Sequence, residues 1–287
     1  MTPRAELIAA AFKWACHAEL DAPKPGNVHV FAPGHRMTAA EFVASADAAA
    51  MPLAAEGTRV GTRIRGAVEA TFAAIGTNTN LGIILLCAPL SAAAEAGTPD
   101  LRAPLVKVLK SLDTKDADLA FRAIVQAAPA GLGHSPRYDV FEPATVSLLQ
   151  AMTEAAYRDR VARQYATCFA DVFDTGLPLL QAAIRQYANQ RWATLATYFG
   201  FLSAFPDTHI LRKYGPHTAD KIRLTAATFQ SSLRAAKHPA TLLPELSAWD
   251  ATLKADGVNP GTSADLTVAT LFVHRLKSVL LSTRNSG

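Results

Sequence analysis

The stretch APKPGNVHV, Ala22 to Val30, decides the fold class, because its last three residues are the chain's only candidate for a β-strand. Val28-His29-Val30 places a polar residue between two β-branched ones, but three residues cannot build a sheet. On either side the pattern is helical. Thr2-Pro3 supplies an N-cap and a proline at the first helical position, and Leu7, Ala10, Ala11 and Trp14 then share one face. Thr38-Ala39-Ala40-Glu41 reads as a capping box that opens a helix running to about Met51 and stopping at Pro52. Further helices are expected at 58–75, 80–96, 99–111, 115–127, 142–156, 158–173, 177–188, 190–204, 217–236, 240–255 and 262–282. The expected fold is all-α: a single globular domain over residues 1–287, of roughly ten or more helices with a loop-built active site. No repeat of fixed period points to a solenoid.

Composition narrows the function classes. Of 287 residues, 50% are hydrophobic and 18% charged, which suits a packed globular chain and excludes disorder. A net charge of +4 suits small anionic ligands but lacks the clustered basic stripe of a nucleic-acid binder. Cys16, Cys87 and Cys168 are odd in number, far apart and without a CxxC pair. They read as buried thiols rather than as disulfides or a zinc site. The most apolar run, Ile83 to Leu90, falls far short of the roughly 20 residues that cross a bilayer. The expected setting is cytoplasmic with no membrane partner, and an apolar helical surface suits a homodimer.

Five connectors hold most of the unusual polar residues: 22–37, 76–82, 128–141, 206–217 and 256–265. The first displays Lys24, Asn27, His29, His35 and Arg36, cation-capable groups that suit a polyphosphate, although Pro and Gly also punctuate ordinary loops. In GTNTNLG, residues 76–82, Thr79 or Asn80 could cap the next helix, yet Asn78, Thr79 and Asn80 together exceed what one cap needs. PDTHILRKYG, residues 206–215, gathers Asp207, Thr208, His209, Arg212 and Lys213. A helix-terminating Pro-Asp turn would explain Asp207 alone, but Asp207 is also the best-placed carboxylate for magnesium or for general-base work. GVNPGTSADL, residues 257–266, caps the last helix and offers a second anion seat at Gly261 and Ser263. Asp265 in its first turn would repel a phosphate unless a metal intervened. AGLGHSPRYDV, residues 130–140, holds His134, Arg137 and Asp139 and reads equally well as a plain loop.

Taken in order, these loops resemble the triphosphoribosyl-dephospho-CoA synthases. KPGNVH resembles that family's KPG-x-V-D/H element and GTNTNLG its GVNTHKG. PDTHILRKYG is similar to DTN-L-x-x-R-x-G, and NPGTSADLTVATLF to SPGGSADLLAVTLF. The four motifs span residues 24 to 272. The resemblance implies an all-α transferase that takes ATP with Mg2+. The 2′-hydroxyl of 3′-dephospho-CoA attacks the ribose C1′ of ATP, adenine leaves, and the triphosphate stays on the transferred ribose.

Motif matching then puts Lys24, Asn27, Arg36, Asn78, Thr79, Asn80, Thr208, Arg212, Lys213, Gly261 and Ser263 near the nucleotide. Asp207, His29 and His35 become the catalytic candidates, and Asp207 and Asp265 the metal candidates. Asn80-Leu81 stands where the family usually has histidine then lysine or arginine, and His35-Arg36-Met37 lacks the aspartate of its His-x-Asp-Met element. NTNLGIILLCAPL and GLGHSPRYDV instead look like a branch found in methanogens and methylotrophs. That likeness implies an alternative: an enzyme of methanofuran or tetrahydromethanopterin biosynthesis acting on a phosphorylated or nucleotide-like precursor. A non-catalytic nucleotide-binding helical protein is the second alternative.

Overall fold

The structure, a computed structural model, describes residues 2–129 and 131–285, with side chains through residue 282. Ala130, which opens the AGLGHSPRYDV loop, lies outside the described residues. Thirteen α-helices and no strand occur among those described: α1 Pro3–Leu20, α2 Ala39–Ala54, α3 Val60–Ile75, α4 Leu81–Ala94, α5 Arg102–Ser111, α6 Thr114–Ala127, α7 Leu148–Ala155, α8 Arg160–Ala166, α9 Leu177–Tyr187, α10 Gln190–Ala204, α11 Thr208–Ala235, α12 Leu243–Ala255 and α13 Gly261–Asn285. The Val28–Val30 stretch contributes one isolated bridge, His29 to Ala32, and a second joins Gly34 to Met37. The all-α expectation holds. Among the described residues no helix is long and apolar enough to cross a membrane.

The chain divides into two compact units. The first comprises Met1–Ala15, Glu41–Ala170 and Phe272–Gly287. Its centre is α4, LGIILLCAPLSAAA, in which all but two residues are buried, as expected of a helix apolar on every side. Pro89 stands inside α4 and has no N–H to give to the carbonyl of Leu85. The hydroxyl of buried Tyr165 on α8 donates to that carbonyl at 2.6 Å, so the helix crosses its proline without an orphaned acceptor. Helix α3 packs on α6, where Gly61 N–H donates to Asp116 Oδ1 at 2.8 Å. The second unit comprises Cys16–Ala40 and Asp171–Leu271, with α10 packed between α9 and α11. Tyr198, Phe199, Leu202 and Ile210 lie in its core.

Most helix expectations match, and the departures have local causes. Helix α2 continues through Pro52 to Ala54, because a proline in the last turn costs one bond and leaves little helix to break. The helix expected at 142–156 starts only at Leu148, where Ser147 and Gln150 form a capping box. Helix α8 stops at Ala166; Cys168 and Phe169 take left-handed φ of 50° and 59°, and a π-helical turn follows at Asp171–Gly176. The stretch 206–217, expected as a connector, is helical from Thr208 and kinks at Gly215, where φ is 80° and ψ 174° just before Pro216.

Candidate functional site

The loop after α1 is built around a lysine with no exposed surface. Lys24 Nζ lies 2.6 Å from Glu19 Oε1 and donates to Val28 O at 2.8 Å and Asn27 Oδ1 at 3.2 Å. Two hydrogen bonds and one ion pair thus hold the ammonium. Burial pushes the Glu19 carboxyl up and the Lys24 ammonium down, and each charge opposes the other's shift. Asn27, also buried, donates to Asn259 Oδ1 at 2.8 Å and so joins the first connector to the last. The hydroxyl of Tyr198 donates to Pro25 O at 2.7 Å.

A second charged knot holds the rest of the loop. Asp250 Oδ1 accepts from Gly26 N–H at 2.8 Å. Asp250 Oδ2 lies 3.3 Å from His29 Nε2 and accepts from Lys254 Nζ at 2.8 Å. Lys254 also donates to Ala32 O at 3.1 Å. Burial works to raise the Asp250 carboxyl, but the bonds from His29, Lys254 and the Gly26 N–H outweigh it and hold it below the usual range. Burial lowers the His29 imidazole, and its Nδ1 is enclosed without a partner. His29 is thus a fixed, internal group.

His35 is different. It and Arg36 are the central pair of a tight turn from Gly34 to Met37, with left-handed φ of 53° and 63°, uncommon for residues other than glycine. His35 Nε2 lies 2.8 Å from Gly26 O. A carbonyl can only accept, so Nε2 carries the proton and Nδ1 keeps its lone pair. Burial pushes the imidazole down, and Lys213 and Lys254 push the same way against the Gly26 bond, so the neutral form prevails near pH 7.

The PDTH and NPGTSAD motifs meet at one carboxylate. Asp207 is fully buried; its Oδ1 accepts from His209 N at 3.0 Å and Ile210 N at 3.3 Å, capping α11. Its Oδ2 accepts from Ser263 N at 2.8 Å and Ser263 Oγ at 2.7 Å, capping α13. Asp207 therefore opens a helix rather than ending one, and protein donors fill both oxygens. Thr208 and Thr262 pair at 3.0 Å beside it. Gly261 lets the His209 ring approach, since a Cβ there would sit 2.6 Å from His209 Nδ1. Burial lowers His209, Asp207 opposes, and Arg212, Lys213 and His35 add to the fall. Arg36, Arg212 and Lys213 are exposed, while Asp265 is half-exposed and one turn inside α13. Among the described residues no three His, Cys, Asp or Glu side chains are grouped to hold a metal ion.

In the first unit, Asn78, Thr79 and Asn80 form a cluster of their own. Asn80 makes no side-chain cap; Asn78 Oδ1 accepts from Leu81 N at 3.1 Å instead. Thr79 donates to Ser45 Oγ at 2.7 Å, and buried Asn80 donates to Thr71 Oγ1 at 3.3 Å and Ser45 O at 3.5 Å. The three side chains thus tie α4 to α2 and α3. In the loop from 128 to 141, Asp139 takes His134 Nδ1 at 2.9 Å and the N–H groups of Ser135 and Phe141.

With this geometry in place, comparison with known proteins is decisive. The chain matches the CitG family, ATP:dephospho-CoA triphosphoribosyl transferase, over residues 5–283. It belongs to that family. As an ATP:dephospho-CoA triphosphoribosyl transferase, it moves a triphosphoribosyl group to dephospho-CoA. A chain from Archaeoglobus fulgidus assigned as a triphosphoribosyl-dephospho-CoA synthase shares the fold, with a TM-score of 0.64 and 25% identity over 80% of this chain and 96% of that one. Comparison with curated proteins gives no match.

Nothing in the sequence motifs singles out Glu19, Asp250, Lys254 or Asn259. A lone lysine in an apolar stretch between two prolines implies a buried counterion, and that signal could have led to Glu19. Asp250 sits on an unremarkable helical face 224 residues from the amide that it accepts, and no local pattern announces it.

Proposed function

We propose that His35 takes the proton from the attacking 2′-hydroxyl of dephospho-CoA while Arg36, Arg212 and Lys213 hold the triphosphate of MgATP. As the O–C1′ bond forms, the bond from C1′ to the adenine nitrogen breaks, adenine leaves with that electron pair and takes a proton from solvent, and His35 returns to solvent the proton it accepted. The observation that carries the reading is the 2.8 Å contact of His35 Nε2 with Gly26 O, which puts the ring proton on Nε2 and leaves the acceptor lone pair on Nδ1. Asp207 already occupies the N–H groups at both helix mouths, so phosphate binding falls to the exposed cations rather than to backbone amides. We assign Asp207, Lys24 and His29 to holding the loops in place. Magnesium enters with ATP, whose phosphates supply ligands of their own, and Asp265 is the carboxylate assigned to it.

The test is His35→Gln, assayed by adenine release. The reading predicts a fall in kcat of about 100-fold or more with KM for ATP nearly unchanged. The wild-type rate should fall in acid with a midpoint below 6.5, and that limb should vanish in the variant. A kcat within a few-fold of wild type would remove His35 from the reaction.

A further inference from the structure

The turn from His29 to Ala32 displays two large apolar side chains. Val30 is 49% and Phe31 57% exposed, and they are the central pair of a turn whose ends bond to each other at 3.4 and 3.1 Å. The turn is firmly mounted. His29 is held at Asp250, Lys254 Nζ donates to Ala32 O at 3.1 Å, and Val30 N donates to Leu20 O at 3.0 Å. Arg191, exposed near the start of α10, places its guanidinium carbon 4.9 Å from the Phe31 ring centroid. Among the described residues Arg191 has no carboxylate partner, so its charge is available to a ligand.

We propose that Phe31, backed by Arg191, is a stacking platform for the purine base of a nucleotide substrate. This rests on the transferase reading, in which both substrates, ATP and dephospho-CoA, carry adenine. A rigidly held aromatic with a cation on one face presents what a flat, electron-rich base recognises, and the spare guanidinium suits the phosphates that accompany it. Arg191, a cation at the ring itself with no carboxylate partner among the described residues, fits the phosphates of a nucleotide better than an apolar protein surface. Phe31 would then fix where a base lies and leave the chemistry to other groups.

KM for ATP and for dephospho-CoA, measured by adenine release in wild type, Phe31→Ala and Phe31→Trp, tests the platform. Phe31→Ala should raise one of the two KM values about tenfold, with kcat within about threefold and the melting temperature unchanged. Phe31→Trp should restore it. Whichever KM rises identifies whose adenine is stacked. Both KM values unchanged would overturn the proposal, as would a change confined to oligomeric mass in sedimentation, which would make the turn a contact between copies. If the wild type releases no adenine, the transferase reading fails separately. Calorimetric titration with AMP then decides, and equal Kd for wild type and Phe31→Ala would overturn the platform.

Discussion

A lysine with no exposed surface must be matched charge for charge, and Lys24 is matched by Glu19 at 2.6 Å. Removing one partner of such a pair strands the other charge, which costs about 3–5 kcal/mol, whereas replacing both by apolar groups is often close to neutral. Lys24→Met should therefore lower stability in urea unfolding by several kcal/mol, and Lys24→Met with Glu19→Leu should recover much of that. Additive losses in the double variant would show that the two residues act separately. The sequence made Lys24 visible, because a charge between two prolines is unusual, but it suggested a ligand contact. Burial is a property of the packed unit, and the nine-residue stretch carries no sign that Tyr198 and Asp250 would close over it. His35 and Arg36 were legible as candidates; their left-handed turn was not, since no glycine stands at either position.

At the level of elements, Asp207 joins the mouths of α11 and α13. Asp207→Asn keeps the shape and can still cap α11 through its amide oxygen, but it turns an NH2 group toward Ser263 N–H and Oγ. We predict a loss of about 2 kcal/mol, with reduced amide-exchange protection confined to the first turn of α13. Wild-type stability for that variant would contradict the double cap. Helix existence was readable from periodicity along nearly the whole chain. Helix ends were less so: Ser147 with Gln150 is a capping box that the apolar pattern overran, and Thr208 to Tyr214 is helical though rich in loop-like polar residues. Pro89 was no obstacle to α4 because Tyr165, 76 positions away, supplies the missing donor, and no window of local sequence contains both.

At the scale of the molecule, four wholly or partly buried histidines set an acid limit. His29, His35, His209 and His274 all have imidazoles pushed down, burial being the largest cause in each. Above pH 6.5 they are neutral in folded and unfolded chains alike and add no pH dependence. As pH falls below 6.5 the unfolded chain binds protons that the folded chain refuses, so stability should decline from that point. A second loss should follow nearer pH 4 and below, where Asp250 and Asp113, the latter held at about 2, protonate in the unfolded state first. Chemical denaturation from pH 8 to 5 checks the first decline, and His209→Gln should flatten part of it. A stability curve level down to pH 5 would argue against the buried neutral imidazoles. The central claim is the reaction itself: adenine displaced from ATP by dephospho-CoA. Incubation of the protein with MgATP and dephospho-CoA, followed by chromatography, tests it most directly. Free adenine appearing in step with a triphosphoribosylated dephospho-CoA is the predicted result, and neither product forming under saturating substrates would contradict it.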